Sequence, residues 1–379
     1  MTDTPFTTFT PPGFEDVTAA FKANFEDGLE HGAQFCAYKD GELIADLTGG
    51  WKDRGKTVPM AADDLVAVFS SGKVPAALVI AMLADADRLG YDQLVSSFWP
   101  EFAAEGKGEL TVGQVMSHQS GLSGITQPGW TSEDWFDWDK TVNTLAAQTP
   151  IWEPGTACGY HPVTYGFLAG EICRRADKQQ RSIGQILKEE FVIPHGLDIW
   201  IGLPEEHHHR CADMRKPQAV ANMGEINEAT KAAFLMPGAS PGRKGEAAAW
   251  RTAEFAGSNC HATAKSLAQI MQMVVDGSVC GQQYLAEDMQ EKLRQPRISG
   301  PNLVLPFDIT FAAGIMLNTN GHYGPNPDTL GHSGWGGSCV FADPDNGITG
   351  AYAMTKQSNA LLGDPRPMRI INALYGALV

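Results

Sequence analysis

No run of basic residues longer than a pair occurs in this 379-residue chain. Its 28 lysines and arginines are outnumbered by 44 acidic residues, for a formal charge of −16. Nucleic acid and anionic bilayer surfaces are bound through clustered positive charge, so neither is expected as a partner. Long apolar runs are missing as well. The longest, Ala76 to Ala84, stops at Asp85, well short of the roughly 20 residues that cross a bilayer. The opening Met1-Thr2-Asp3-Thr4-Pro5-Phe6 has neither a basic n-region nor an apolar h-region, and the reading is a cytoplasmic protein. Cysteines are few and badly placed for cross-linking: seven, an odd number, with no Cys-x-x-Cys pair. That pattern fits reduced, buried thiols and argues against a disulfide framework or a thiolate zinc site. No Gly-x-Ser-x-Gly follows an expected strand, so there is no sign of the nucleophile elbow of α/β hydrolases.

What the chain does have is core. Hydrophobic residues make up 43% and charged residues 19%, a globular composition, and the length suits one large domain or two interlocked ones. Phe14, Val17, Phe21 and Phe25 recur at helical spacing. Gln34 to Tyr38 and Leu43 to Leu47 flank an Asp40-Gly41 pair, a strong hairpin signal. Further along, Thr111 to Gln114 forms a capping-box pattern. Val163, Phe167, Leu168 and Ile172 repeat at helical spacing, as do Ile183, Ile186, Leu187 and Phe191. From Thr263 another helix is expected to run to a Gly277 cap. Phe311 to Leu317, Ser338 to Ala342 and Ile348 to Thr355 read as strands, and Ile370, Ile371 and Leu374 belong to a final helix. Strands at both ends with helices between them predict an α+β fold. Its antiparallel sheet would be built from residues 1–75 and 226–379, with a mainly helical region, 76–225, inserted and the active site at the interface.

Ser70-Ser71-Gly72-Lys73 is the sequence's only Ser-x-x-Lys, and it opens the apolar helix through Ala76, Leu78, Val79 and Met82. At i and i+3, Ser70 and Lys73 share a helical face, so the amine can reach the hydroxyl. Pro75 could bend that helix. Alone, the pattern also fits a capping Ser and a solvated Lys. Three ordered segments accompany it: Leu110 to Leu122 with Ser117-His118-Gln119-Ser120-Gly121, then Tyr160-His161-Pro162 ahead of a helix, then Gly331-His332-Ser333-Gly334-Trp335-Gly336-Gly337-Ser338.

In this order and content the chain resembles the serine β-lactamase and penicillin-binding-protein superfamily. The resemblance is closest to its class C-like esterases, the family VIII carboxylesterases, and extends from near Tyr38 to near Thr355. It implies a β-lactamase-like fold in which Ser70 is the acylated nucleophile, Lys73 its base and Tyr160 a partner in proton transfer. It also implies an oxyanion hole from the N–H groups of Ser70 and Trp335, with Gly334 allowing close backbone approach and His332 at the substrate side. A serine hydroxyl needs such an adjacent base. Burial would depress the Lys73 pKa, and a cationic Lys73 would lower that of Tyr160.

Two departures shape the expected substrate. Where lactamases read Tyr-x-Asn and Lys-Thr-Gly, this chain reads Tyr160-His161-Pro162 and His332-Ser333-Gly334. Loss of the amide and the ammonium points to small neutral carboxylic esters. An amidase, peptidase or β-lactamase-type activity is the alternative within enzymes, and a non-catalytic binding scaffold the alternative outside them. No cofactor and no metal are expected, and a homo-oligomer is compatible with the sequence. His161 either tunes proton transfer or fills the vacant Asn space. His118 reads as a structural hydrogen-bonder, Glu153 as a shaper of its loop and His207-His208-His209 as a surface loop. Trp130, Trp135, Phe136, Trp138 and Trp152 could wall a substrate pocket or simply pack.

Overall fold

The structure, a computed structural model, describes residues 4–237 and 247–378. Its centre is a nine-stranded antiparallel sheet. The strands are β1 (Phe6–Phe9), β2 (Gly32–Lys39), β3 (Glu42–Gly50), β4 (Ile298–Pro301), β5 (Asp308–Phe311), β6 (Met316–Leu317), β7 (Leu330–Ser333), β8 (Cys339–Asp343) and β9 (Ile348–Met354). Their spatial order is β1-β3-β2-β9-β8-β7-β6-β5-β4. The two ends of the chain therefore meet where β2 pairs with β9, in a register running from Lys39 opposite Ile348 to Ala33 opposite Met354.

β2 and β3 form the expected hairpin. Its loop residues Asp40 and Gly41 have φ of +49° and +79°, the double positive φ of a type I′ turn, which suits the twist of the flanking strands. Side chains alternate across β2. Ala33, Phe35 and Ala37 pack with Val17 and Phe21 of α1 (Glu15–Glu26) and with Ile370, Ile371 and Leu374 of the C-terminal helix Pro365–Gly376. Cys36 and Tyr38 join the opposite core, with Ala264 and Leu267 of the helix Ala264–Ile270. Each buried Phe or Leu in these layers contributes about 1.5–3 kcal/mol of apolar transfer.

Several expected elements differ from the structure. Phe311 to Leu317 is not one strand. The chain reverses between β5 and β6, where Gly314 has φ +87° and packs so closely that a Cβ would stand 2.3 Å from the Tyr165 hydroxyl. Leu330–Ser333, to which the sequence reading assigned no element, is a strand, β7. Phe6–Phe9 and Ile298–Pro301, short edge strands without clear alternation, were not signalled. The capping box at Thr111 is present, its hydroxyl accepting from the Gln114 amide at 3.2 Å while the Gln114 side chain accepts from the Thr111 amide at 3.0 Å. It caps only the short helix Val112–Met116.

Candidate active site

Ser70 sits in a single 3₁₀ turn, Phe69–Gly72, that feeds directly into α2 (Lys73–Asp85). Pro75 lies in the first turn of α2, where its missing N–H costs no helical hydrogen bond, so it need not bend the helix. Phe69, just before the serine, has φ +49°, a left-handed conformation that is uncommon for a residue with a large side chain. Two close approaches hold this turn. A Cβ on Gly72 would lie 2.2 Å from the Cys260 Cβ, and the Val68 amide donates to the Cys260 carbonyl at 2.9 Å. Together they bring the Gly257 carbonyl to the site.

Lys73 is wholly buried. Its Nζ lies 3.2 Å from Ser70 Oγ, 2.9 Å from the Pro162 carbonyl oxygen and 2.6 Å from that of Gly257. Burial drives its pKa well below the usual lysine value, which favours a neutral amine. A neutral amine has two hydrogens and one lone pair. With both hydrogens donated to the two carbonyls, the lone pair faces the serine hydroxyl. Pro162 stands at the departed Asn position and supplies an acceptor to Lys73 through its main chain.

Tyr160 reaches the same cleft. Its amide donates to Asn302 Oδ1 at 3.0 Å, and Lys73 Nζ is 4.8 Å from its ring centroid. Its phenol was expected to acidify. Instead burial raises its pKa, and a hydrogen bond with Ser70 pulls it only partly back. The reason is that desolvation of the buried phenol outweighs that hydrogen bond.

The fourth segment closes the site from the sheet edge. A Cβ on Gly334 would lie 2.2 Å from both the Val68 carbonyl oxygen and Ser338 Oγ. Glycine at this position thus lets the end of β7 dock on the nucleophile turn. Ser338 Oγ donates to the Val68 carbonyl at 2.7 Å and lies 3.0 Å from Ser71 Oγ. The following turn is anchored by the buried Arg366, whose guanidinium donates to the Gly336 carbonyl at 2.7 Å. Among the described residues, the N–H groups of Ser70 and Trp335 donate to no other protein group, and both residues line the cleft.

Two expected substrate-side histidines are not at the substrate side. His332 is fully buried beside Tyr160, with ring centroids 6.0 Å apart, and does not line the cleft. Burial and the nearby Lys73 push its pKa down to about 3. The alternation of β7 sends Ser333 to the cleft and His332 behind it. His161 is also buried. Its Nδ1 lies 2.5 Å from the Gly159 carbonyl oxygen, and its Nε2 lies 2.7 Å from Ser120 Oγ and accepts from the Leu122 amide at 3.3 Å. Burial pushes its pKa to about 3, so it is a neutral group held at both ring nitrogens. His118 Nδ1 accepts from the His161 amide at 3.2 Å, the structural hydrogen bond expected of it.

The tryptophans belong to packing. Trp130 and Trp135 meet edge to face at 5.4 Å, while Trp135 and Trp138 pack on Phe167 at 5.7 and 5.1 Å. None of the five aromatics lines the cleft. Its volume is about 150 Å³, and its apolar walls include Phe69, Phe234, Leu305, Met316, Leu361 and Leu362. Of these, only Phe69 adjoins a motif in sequence. Gly257 and Asn302, which hold Lys73 and Tyr160, also lie outside every motif. His207, His208 and His209 diverge around one 3₁₀ turn, His208 to the Leu203 carbonyl, His209 to that of Glu206 and His207 onto the Trp200 ring. Among the described residues no group of three His, Cys, Asp or Glu could hold a metal ion. No helix among them is long and apolar enough to cross a membrane.

The comparisons with known proteins agree with this geometry. The Esterase/beta-lactamase LipL of Mycobacterium tuberculosis is 31% identical over 359 residues, covering 90% of this chain and 81% of its own length. A penicillin-binding protein homolog from Caulobacter crescentus superposes with a TM-score of 0.94 at 47% identity, over 98% of this chain and 100% of its own. A family VIII carboxylesterase does so with 0.91 at 36%, over the same shares. The pattern of the Beta-lactamase family matches residues 21–375. The chain belongs to the beta-lactamase family and is a serine hydrolase.

Proposed function

We propose that the protein hydrolyses small carboxylic esters through an acyl-enzyme on Ser70. The observation that carries this reading is the buried Lys73 Nζ, 3.2 Å from Ser70 Oγ and held between the Pro162 and Gly257 carbonyls. Lys73 takes the hydroxyl proton as Oγ attacks the ester carbonyl carbon, and the N–H groups of Ser70 and Trp335 receive the oxyanion. On collapse the C–O bond to the alcohol breaks. The proton returns from Lys73 to the leaving oxygen, and the phenol of Tyr160, protonated because it is buried, assists as the donor beside it. Water then repeats the sequence in reverse roles and frees the acid and Ser70.

Several observations support an ester that is uncharged where it fills the cleft. Among the described residues no charged side chain lines the 150 Å³ space, and the group at the Lys-Thr-Gly position is a neutral histidine behind the wall. A β-lactam carboxylate would find no cation there. The likeness to a family VIII carboxylesterase supports an ester substrate. All seven cysteines are free thiols, which suits a reducing compartment such as the cytoplasm.

The test pairs p-nitrophenyl butyrate with a chromogenic cephalosporin. The ester is expected to be turned over faster by about two or more orders of magnitude, because roughly 1–3 kcal/mol is lost for each missing polar contact to the lactam. Equal rates would replace the esterase reading with a lactamase one.

The pH profile follows from the same groups. Only neutral Lys73 can act as base, so kcat/KM rises with pH through the depressed Lys73 pKa and reaches its plateau well below pH 10.5. His332 and His161, both pushed to about 3, are neutral across this range. His332→Gln should therefore leave the midpoint of the limb in place. A limb that disappears in that variant would transfer the base role to the histidine.

A further inference from the structure

We propose that a second cavity, adjoining the reaction cleft at Phe69, binds a carboxylate at the remote end of the ester's acyl chain. This rests on the esterase reading above and gives its substrate a class: half-esters of dicarboxylic acids, uncharged at the scissile bond and anionic at the far end. The cavity holds about 650 Å³, and Phe69 lines both it and the Ser70 cleft. A chain passing that ring enters a space walled by Phe69, Ala67, Met214 and Trp250, apolar enough for methylenes.

The polar part of the lining is positive. Arg54, Arg215, Lys216 and Arg251 face it, against the single carboxylate of Asp213. His261 adds no charge at neutral pH, because burial pushes its pKa to about 3. In a chain of charge −16 this local excess of cations is unusual, and among the described residues none of the four forms a side-chain ion pair with a carboxylate. Arg174, Arg175, Arg181, Arg210, Arg366 and Arg369, by contrast, each have an acidic partner.

The cations are also held in place. Arg54 Nη2 donates to the Met214 carbonyl at 2.8 Å. Arg215 Nη1 lies 2.8 Å from His31 Nδ1, and its backbone is pinned between Thr355 and Gln357 by bonds of 2.7 and 2.9 Å. Arg251 stands on the helix Ala247–Thr252, its carbonyl accepting from the Leu203 amide at 2.7 Å. The Arg54 and Arg215 guanidinium groups, held by neutral acceptors, keep free N–H donors for a planar oxyanion. Asp213, whose Oδ2 accepts from the Arg54 amide at 3.3 Å, offsets only part of that charge, so the lining formed by the described residues stays net positive and favours anions over cations.

The experiment compares p-nitrophenyl butyrate and hexanoate with the mono-p-nitrophenyl esters of succinate, glutarate, adipate and pimelate. One acid of the series is expected to show kcat/KM at least tenfold above its neutral counterpart, with the gain in KM and declining with added salt. Arg251→Gln and Arg215→Gln should each remove most of that preference while butyrate hydrolysis stays at the wild-type level. Two variants are used because Arg215 also holds His31, and Arg251 has no such second task. Calorimetry with free adipate and with inorganic phosphate separates the possible sources of the anion. Adipate heat that is lost in Arg251→Gln supports the site, even if no ester is turned over and the esterase reading itself falls. Binding of phosphate alone would make this an inorganic-anion site and overturn the proposal. So would butyrate turnover with no acid preference, or a preference that survives both substitutions.

Discussion

Ser70→Ala is expected to lower ester turnover by about four orders of magnitude or more and to abolish covalent labelling by an active-site fluorophosphonate. The substitution removes the atom that Lys73 addresses at 3.2 Å and leaves the surrounding turn intact. Gly72 still docks on Cys260, and Gly334 still docks on Val68. Thermal unfolding should accordingly change little, which separates loss of chemistry from loss of fold. Two other serines lie in glycine-flanked segments and serve as internal controls. Ser120 is buried and lies 2.7 Å from His161 Nε2, while Ser333 lines the cleft with its Oγ 3.1 Å from the Tyr323 hydroxyl. Among the described residues neither is hydrogen-bonded to a lysine. A fluorophosphonate adduct mapped to either one in the wild-type protein would show the nucleophile to be misassigned.

Lys73→Met and Tyr160→Phe should each reduce kcat by roughly two to four orders of magnitude, and the double variant should be little worse than the poorer single one. The expectation of non-additivity comes from geometry, since both groups address Ser70 and one cannot shuttle the proton effectively without the other. Losses that simply add would mean that the two act at separate steps. Stability distinguishes the variants further. Lys73→Met leaves the buried Gly257 and Pro162 carbonyls without their donor, a penalty of about 1–3 kcal/mol for each unsatisfied group. That loss is partly offset because a desolvated amine is replaced by a thioether. Tyr160→Phe removes only a hydroxyl facing the cleft, so its melting temperature should move less.

The sequence alone determined the elements whose signal is local. The Asp40-Gly41 hairpin was legible because a two-residue loop with positive φ at both positions favours that pair. The α1 stripe of Val17 and Phe21 was legible because a helix packed on one side of a sheet repeats its apolar face. Ser70, Lys73 and Tyr160 were legible as candidates because order and spacing survive in the linear chain, and because i and i+3 on a helix guarantee proximity. What could not be read was anything set by facing. Whether His332 looks into the cleft or behind it depends on the parity of β7, and a one-residue shift would exchange it with Ser333. The protonation of Tyr160 depends on its own burial, and the depressed pKa of Lys73 on burial beneath the Gly257 and Pro162 carbonyls, which lie 184 and 89 residues away. The cleft walls, Leu305, Leu361 and Leu362 among them, and the cations around the second cavity come from segments with no pattern in common. Tertiary packing alone assembles them, because desolvation and contact depend on distance in space, which sequence separation does not encode.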